Sequence, residues 1–333
     1  MSTRPLLKWV GGKRQLLPAL RRYYPPHFDR YCEPFTGSGA VFFDLHAAGR
    51  LESRHARLAD ANPDLIGCYR TVRDDADRVI AALAALEHEH RARGADCYYD
   101  VRDRRFNPAR VSLTPGDPAM AKRYTPELAA MLIYLNRTGF NGLFRLNRRG
   151  EYNVPAGRYA NPGICDAEHI RSVARALSSQ NVTLECTPFD RVLAEAAAGD
   201  FVYCDPPYAP ISHTAAFAHY TAGGFSSDDQ TRLRKAVVGA ARRGAVVLLS
   251  NSSAPEIVSA YGGRQARAAG LTLQFVPARR AINSRAELRG PVDEVIVTNM
   301  AVAGRKLRMA RLTLRPPADA GLPFAARAGR RPA

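Results

Sequence analysis

Asp205-Pro206-Pro207-Tyr208 follows directly on the apolar run at 201–204. Two successive prolines stiffen a turn and remove two backbone donors, which frees the carbonyls of Asp205 and Pro206 to accept hydrogen bonds. An exocyclic amine on a nucleobase is a poor nucleophile, because its lone pair is delocalised into the ring. Acceptors aimed at its N–H groups favour a tetrahedral nitrogen and offset the positive charge that develops during attack, a form of electrostatic transition-state stabilisation. Tyr208 adds a flat face on which a base can stack. A turn of this composition is structural by default, yet rare enough that amine chemistry is the stronger reading.

Other groupings carry weaker signals. At 33–40 the sequence EPFTGSGA runs from a strand into a glycine turn. Such glycines let backbone approach a ligand, as in dinucleotide sites. A full dinucleotide fingerprint needs a third small residue at position 42, where Phe42 stands, so a dehydrogenase is disfavoured and a tight structural turn stays open. Asp60 ends the next strand. An acid there suits ribose hydroxyls, or alternatively caps the helix that Asn62-Pro63 begins. Leu7-Lys8-Trp9-Val10-Gly11-Gly12-Lys13 joins the only tryptophan to two of five lysines; Gly-Gly permits close approach, Trp9 offers stacking area and Lys13 can meet a carboxylate. From Arg137 to Tyr159 there are five arginines and one acid, with turn signals at Asn141-Gly142 and Arg149-Gly150. Arginines there can hold phosphates or read guanine edges, and Phe140 or Leu143 could wedge into a base stack. A plain surface hairpin is the competing reading.

These groups need elements to hold them. Strand-like runs occur at 31–35, up to Asp60, and at 181–186, 201–205, 245–250, 271–276 and 293–299. Helical patterns lie at 39–48, from 62, and at 166–179, 187–198 and 228–243. Strands alternating with helices predict an α/β fold with a mainly parallel sheet covered on both faces. The block from about 70 to 165 breaks that alternation. It starts with a long Ala/Leu/Arg helical stretch to about 93, passes a Pro/Gly-rich loop near 107–118, and ends in the Gly-, Asn- and Arg-rich segment. It reads as an inserted lobe.

The formal charge of +17 over 333 residues points to a polyanionic partner. Only five of the 48 basic residues are lysines, which reflects a GC-rich composition but does not explain the excess over acids. Six cysteines, none at CxxC spacing and without a histidine cluster, disfavour disulfides and zinc. No stretch approaches the roughly 18 to 20 apolar residues of a membrane span, and the N-terminal stretch lacks a signal-peptide core. The expectation is a soluble, cytoplasmic protein.

In sequence order, the stretches KWVGGK, EPFTGSGAVF, ADANPDL, NRTGFNGLFRLNRRGEYNVPAGRY, FVYCDPPY and FSSDDQTRL closely resemble the Dam-type DNA adenine-N6 methyltransferases, over roughly residues 6 to 300. The resemblance implies a Rossmann-like methyltransferase sheet, mainly parallel, closing in an antiparallel hairpin at 271–299, with an inserted helical and hairpin DNA-recognition lobe. The catalytic, S-adenosylmethionine-binding domain would be discontinuous, 1–70 and 166–300, around a target-recognition lobe at 71–165, with 301–333 a basic, flexible tail. Trp9, Lys13, Asp60 and Asp205 would contact S-adenosylmethionine, with the turn carrying Glu33, Phe35, Gly37 and Gly39 beneath it. Asp205, Pro206, Pro207 and Tyr208 would perform the chemistry, with Phe225 as a second packing partner for the base and no metal. Lys8, Arg137, Phe140, Asn141, Leu143, Arg145 and Arg158 would meet double-stranded DNA. Within that set, Arg145 resembles the family's guanine-reading residue, Lys8 a second specificity contact, and Phe140 and Leu143 the intercalating pair. The implied reaction is methylation of adenine N6, within GATC, by base flipping and direct in-line attack. Cytosine-N4 methylation is the neighbouring alternative, since the same amine chemistry serves both bases; a noncatalytic DNA-binding regulator on the same fold is the alternative from another class. A monomer is the default, and a separately acting restriction enzyme is a compatible partner.

Overall fold

The computed structural model describes residues 3–300, except 10, 115, 180, 209–224 and 280–290; the basic stretch at 301–333 lies outside the described residues. Strands β1 (Arg30–Glu33), β2 (His55–Asp60), β3 (Val182–Cys186), β4 (Asp200–Cys204), β5 (Val246–Ser252), β6 (Thr272–Arg279) and β7 (Pro291–Thr298) form one sheet in the order β3-β2-β1-β4-β5-β7-β6. The first five are parallel, and β7 runs antiparallel between β5 and β6. This is the Rossmann-like sheet that the resemblance implied, hairpin included.

The described helices are α1 (Leu17–Leu20), α2 (Ala40–Ala47), α3 (Pro63–Asp74), α4 (Ala76–Arg93), α5 (Ala95–Asp100), α6 (Asn107–Val111), α7 (Pro126–Thr138), α8 (Ala167–Leu177), α9 (Phe189–Glu195), α10 (Ser227–Arg242), α11 (Pro255–Gly262) and α12 (Arg264–Ala268). Alternate strand residues serve opposite faces. Tyr31, Leu58, Phe201, Tyr203, Leu248 and Ile296 pack with Phe42 of α2, Leu65 of α3 and Ile170 of α8. Cys32, Ala59, Val202, Cys204, Val247 and Leu249 pack with Val192 of α9, Val237 of α10 and Ile257 of α11. Coverage on both sides explains why β4 is apolar after Asp200, which pairs with Arg30, and buried at every position.

The segment 71–165 is helical to Thr138 and largely irregular from 143 on, and both parts share the first of these cores, through Tyr98, Phe106 and Tyr134 and through Phe144 and Tyr152. The long helical stretch breaks at Asp75, where the backbone leaves the helical region (φ −149°, ψ 56°). The loop expected at 107–118 is corrected in its first part. Val101–Phe106 form a π-helical turn that runs on into α6. Pro108 falls at the junction where the π-helical turn passes into α6, so its presence did not mark a loop. Among the described residues no helix is long and apolar enough to cross a membrane.

The strand order reverses direction between β1 and β4. In an open α/β sheet, ligands bind outside the carboxyl ends of the strands at that point, and the loops leaving β1 and β4 are the glycine turn and the Asp-Pro-Pro-Tyr turn.

Candidate active site

The glycine turn is stitched to the end of β2. Thr36 N donates to Ala59 O at 2.9 Å, and its hydroxyl donates to Ala59 O at 3.0 Å. Gly37 adopts φ +47° and donates its N–H to Asp60 Oδ2 at 3.1 Å. A Cβ on Gly37 would stand 2.9 Å from Trp9 Cδ1, so both its conformation and its space require glycine. Phe42, where a third glycine was not found, turns into the core from α2. The other Asp60 oxygen accepts from Asn62 N at 2.9 Å. The cap of α3 is Asn62, whose Oδ1 accepts from Asp64 N and Leu65 N. Asp60 is therefore no helix cap; it binds the glycine turn. Burial pushes its carboxyl up to about 6, against the backbone N–H groups that favour the charge.

The other half of the site gathers around Asp205. Lys13, 4% exposed, places Nζ 2.7 Å from Asp205 Oδ1, 2.5 Å from Gly11 O, and 4.4 Å from the centre of the Tyr208 ring. Ser250 donates to the same Asp205 oxygen at 3.1 Å. Burial raises the Asp205 carboxyl above its ordinary value, and Lys13 opposes that rise. Tyr208 OH donates to Glu294 Oε2 at 2.7 Å. Gln230 of α10 donates to Pro207 O at 3.1 Å, one residue beyond the two carbonyls assigned to chemistry, and is itself bonded to Asn251. Glu33 is buried and accepts from Tyr31 OH at 2.9 Å. Burial, then the charges of Asp205 and Asp60, push its carboxyl well upward and favour its neutral form.

Phe225 belongs to an aromatic cluster. It packs with Phe35 and Phe189 at centroid distances of 5.9 and 5.8 Å, and Phe35 stacks on Phe189 at 5.2 Å.

Lys8 and Trp9 bridge the two sets of predicted residues. Asn136 accepts from Lys8 N and donates to Lys8 O, both at 2.8 Å, and also donates to Gly142 O at 2.9 Å. Trp9 stacks on Phe144 at 5.6 Å. The Lys8 ammonium lies 4.6 Å from the Tyr159 ring centre. Arg145, Asn141, Phe140 and Arg158 are exposed, and Leu143 is half-buried. Arg145 is held by Asn153, with Nε donating to Oδ1 at 2.8 Å. Arg137 stands apart from these: its guanidinium turns inward and donates to Leu6 O at 2.9 Å. Burial lowers its pKa, and its buried Nε has no hydrogen-bond partner.

The glycine turn, the acid that ends β2 and the Asp-Pro-Pro-Tyr turn thus lie together at the reversal point of one sheet, beside a basic hairpin. Residues 9–269 match the model of the D12 class of N6 adenine-specific DNA methyltransferases. The chain belongs to this class. Among its relatives, the methyltransferase is 36% identical to the Type II methyltransferase M1.LlaDCHI of Lactococcus lactis subsp. cremoris, over 90% of this chain and 96% of that one. It is 37% identical to the Type II methyltransferase M.MjaIII of Methanocaldococcus jannaschii, over 90% and 100% of the two chains. It is 36% identical to the DNA adenine methylase of Escherichia coli K12, over 89% and 95%.

For a methyltransferase, several residues that sequence reasoning passed over have clear placements. Ser250, Glu294 and Gln230 each bond to the Asp-Pro-Pro-Tyr turn, Phe189 lines the Phe35 side, and Asn136 clasps the Lys8 backbone. Gln230 lay within a quoted stretch, but nothing in its spacing singled it out. Among the described residues no group of three or more His, Cys, Asp or Glu side chains could hold a metal ion.

Proposed function

We propose that this methyltransferase transfers a methyl group from S-adenosylmethionine to N6 of adenine in duplex DNA, within GATC, after rotating the base out of the helix. The observation that carries the reading is the Lys13–Asp205 contact at 2.7 Å beside the Tyr208 ring, at the sheet's reversal point. When bound, S-adenosylmethionine supplies an electrophilic methyl group on a positively charged sulfur. The residues suit it: among the described residues the acids Glu33, Asp60 and Asp205 lie near one another at the strand ends with the Lys13 ammonium on Asp205, which offers acceptors to a ligand cationic at sulfur and carrying ribose hydroxyls. The cradle at Gly37, closed by Trp9 and too tight for a Cβ, suits close backbone approach. Asp60 would accept from ribose hydroxyls, and Trp9 and Phe35 would flank the ligand.

Asp205 and the Pro206 carbonyl would hold the amine through its N–H groups and leave its lone pair free for direct in-line transfer. Tyr208, tied to Glu294, would stack on the base. Extrusion is needed because N6 in a stacked duplex cannot be aligned with a donor buried at the sheet end. The segment 71–165 would serve as the target-recognition lobe: Arg145 reads a guanine, Lys8 makes a second specificity contact, and Phe140 and Leu143 fill the gap left in the stack. Asn141 and Arg158 would contact the backbone.

The test is expression in a host without adenine methylation, followed by modification-resolved sequencing. N6-methyladenine at GATC is expected. Methylation at another sequence would remove the target assignment. N4-methylcytosine, or no modification by a chain that still binds DNA, would overturn the reaction.

A pH dependence follows from Asp60. Hydroxyl donors bond better to its carboxylate than to its protonated form, so ligand affinity is present above the free carboxyl's pKa of about 6 and is lost as pH falls through it. Calorimetric titration with S-adenosylhomocysteine should show affinity rising up to that pH and flattening above, with proton release on binding near it. In Asp60→Asn the slope should vanish. A flat profile in the unsubstituted protein would remove Asp60 from the site.

A further inference from the structure

Arg110 and Asp64 are 2% and 1% exposed. Arg110 Nε lies 2.8 and 2.9 Å from the two Asp64 oxygens, Tyr124 OH donates to the same carboxylate at 3.2 Å, and Arg110 Nη1 donates to Gly150 O. Three residues earlier on α6, Asn107 exchanges a pair of hydrogen bonds with Tyr152, donating to its carbonyl at 3.1 Å and accepting from its N–H at 2.8 Å. The side-chain amide thus stands in for a neighbouring strand. The next residue, Asn153, donates its N–H to Arg145 O at 3.1 Å and accepts from the Arg145 guanidinium through both its side chain and its carbonyl. At the other end, Asp64 sits in the first turn of α3, two residues past the Asn62 cap that bonds Asp60. One short helix therefore fastens the hairpin carrying Arg145 to the start of α3, just after Asp60 at the end of β2.

Buried ion pairs are weak devices for stability, because desolvation offsets their attraction. A guanidinium whose Nε is shared between both Asp64 oxygens while its Nη1 reaches Gly150 O supplies fixed geometry between the two. We propose that Arg110 and Asn107 are positioning residues for base readout: they hold the Arg145 hairpin at a set distance from the donor side of the active site. The proposal rests on the reading of Arg145 as a base contact.

The test uses the full chain with Arg110→Lys and Asn107→Ala, each alone and combined with Arg145→Ala. The rate kcat/KM is measured on the target duplex and on duplexes altered at one base pair, alongside melting temperature. Arg145→Ala should lower discrimination at one base pair by about tenfold or more. Arg110→Lys should lower discrimination at that same pair by about fivefold, and should add nothing in the Arg145→Ala background, since coupled residues are non-additive. Asn107→Ala, which leaves no unpaired charge in the core, reads the same cycle should Arg110→Lys fail to fold. Equal losses on every duplex, or effects that multiply with Arg145→Ala, would assign both residues to folding alone and overturn the proposal. If Arg145→Ala discriminates normally, the readout assignment falls and the positioning role with it. If it loses discrimination while the other two retain it, only the positioning role falls.

Discussion

Replacing Asp205 by alanine should lower methyl transfer by at least about a thousandfold and leave duplex affinity within about threefold of the unsubstituted protein. The asymmetry comes from placement. Both side-chain contacts described for the carboxylate, from Lys13 and Ser250, fall on Oδ1. In the proposed mechanism Oδ2, for which no contact is described, and the Pro206 carbonyl would meet the incoming amine. A single preorganised group of this kind is worth about a hundredfold to a thousandfold in rate, and Asp205 also anchors Lys13 and through it the face of Tyr208. The residues proposed to meet DNA are others: Lys8, and Phe140, Asn141, Leu143, Arg145 and Arg158, all but Leu143 exposed. Methyl incorporation from a labelled donor, set against fluorescence anisotropy with a labelled duplex, separates the two effects. A parallel loss of binding and turnover would mean that Asp205 supports the fold instead of the reaction.

The parts of this molecule that were legible in its sequence are those governed by local chain chemistry. The apolar run of β4 read as a strand because a strand covered on both faces has no polar positions to hide it. The turns at Gly37 and Asp205 were legible because glycine and proline leave the backbone few alternatives. Asp60 kept two readings, cap or ligand, since both put an acid at the end of a strand; only the bond from Asn62 to the α3 backbone decides that the cap is Asn62. Other misreadings have a common cause. Arg137 lay in a basic segment and was counted with it, yet its position on the inner side of α7 turns it toward Leu6. Proline and glycine near 107–118 suggested a loop, although Pro108 sits where the π-helical turn passes into α6. The partners of Arg110, Asn136 and Gln230 lie 20 to 130 residues away in sequence (Asn136 to Lys8 spans 128, Arg110 to Asp64 spans 46, and Gln230 to Pro207 spans 23). No periodicity or motif spacing encodes such pairings.

Lys13 provides the second large effect, and it acts through Asp205. Burial already raises the Asp205 carboxyl, Glu294 adds to that rise, and the Lys13 ammonium is the first of the influences that lower it. Lys13→Met keeps the buried volume and removes the charge. An opposite charge at this range is worth about one to three pKa units, so the carboxyl should take up a proton near neutral pH instead of standing as an unpaired buried charge. A protonated carboxyl presents a weaker acceptor to the amine. Activity should therefore fall most on the acid side, approaching about a hundredfold for a shift of about two units only below both pKa values, by less at about pH 7, and should recover as the pH is raised toward about 9. In sign, the acid limb of the rate profile moves upward, because the active form is the carboxylate and its pKa has risen. Lys13→Arg would keep the charge and leave that limb in place. Its flat fork does not fit a pocket where lysine is 4% exposed, so its rate should drop at every pH. The pair of profiles separates charge from shape. A Lys13→Met enzyme slowed uniformly, with its acid limb where the unsubstituted protein has it, would show that the ammonium merely props the site open and does not govern the protonation of Asp205.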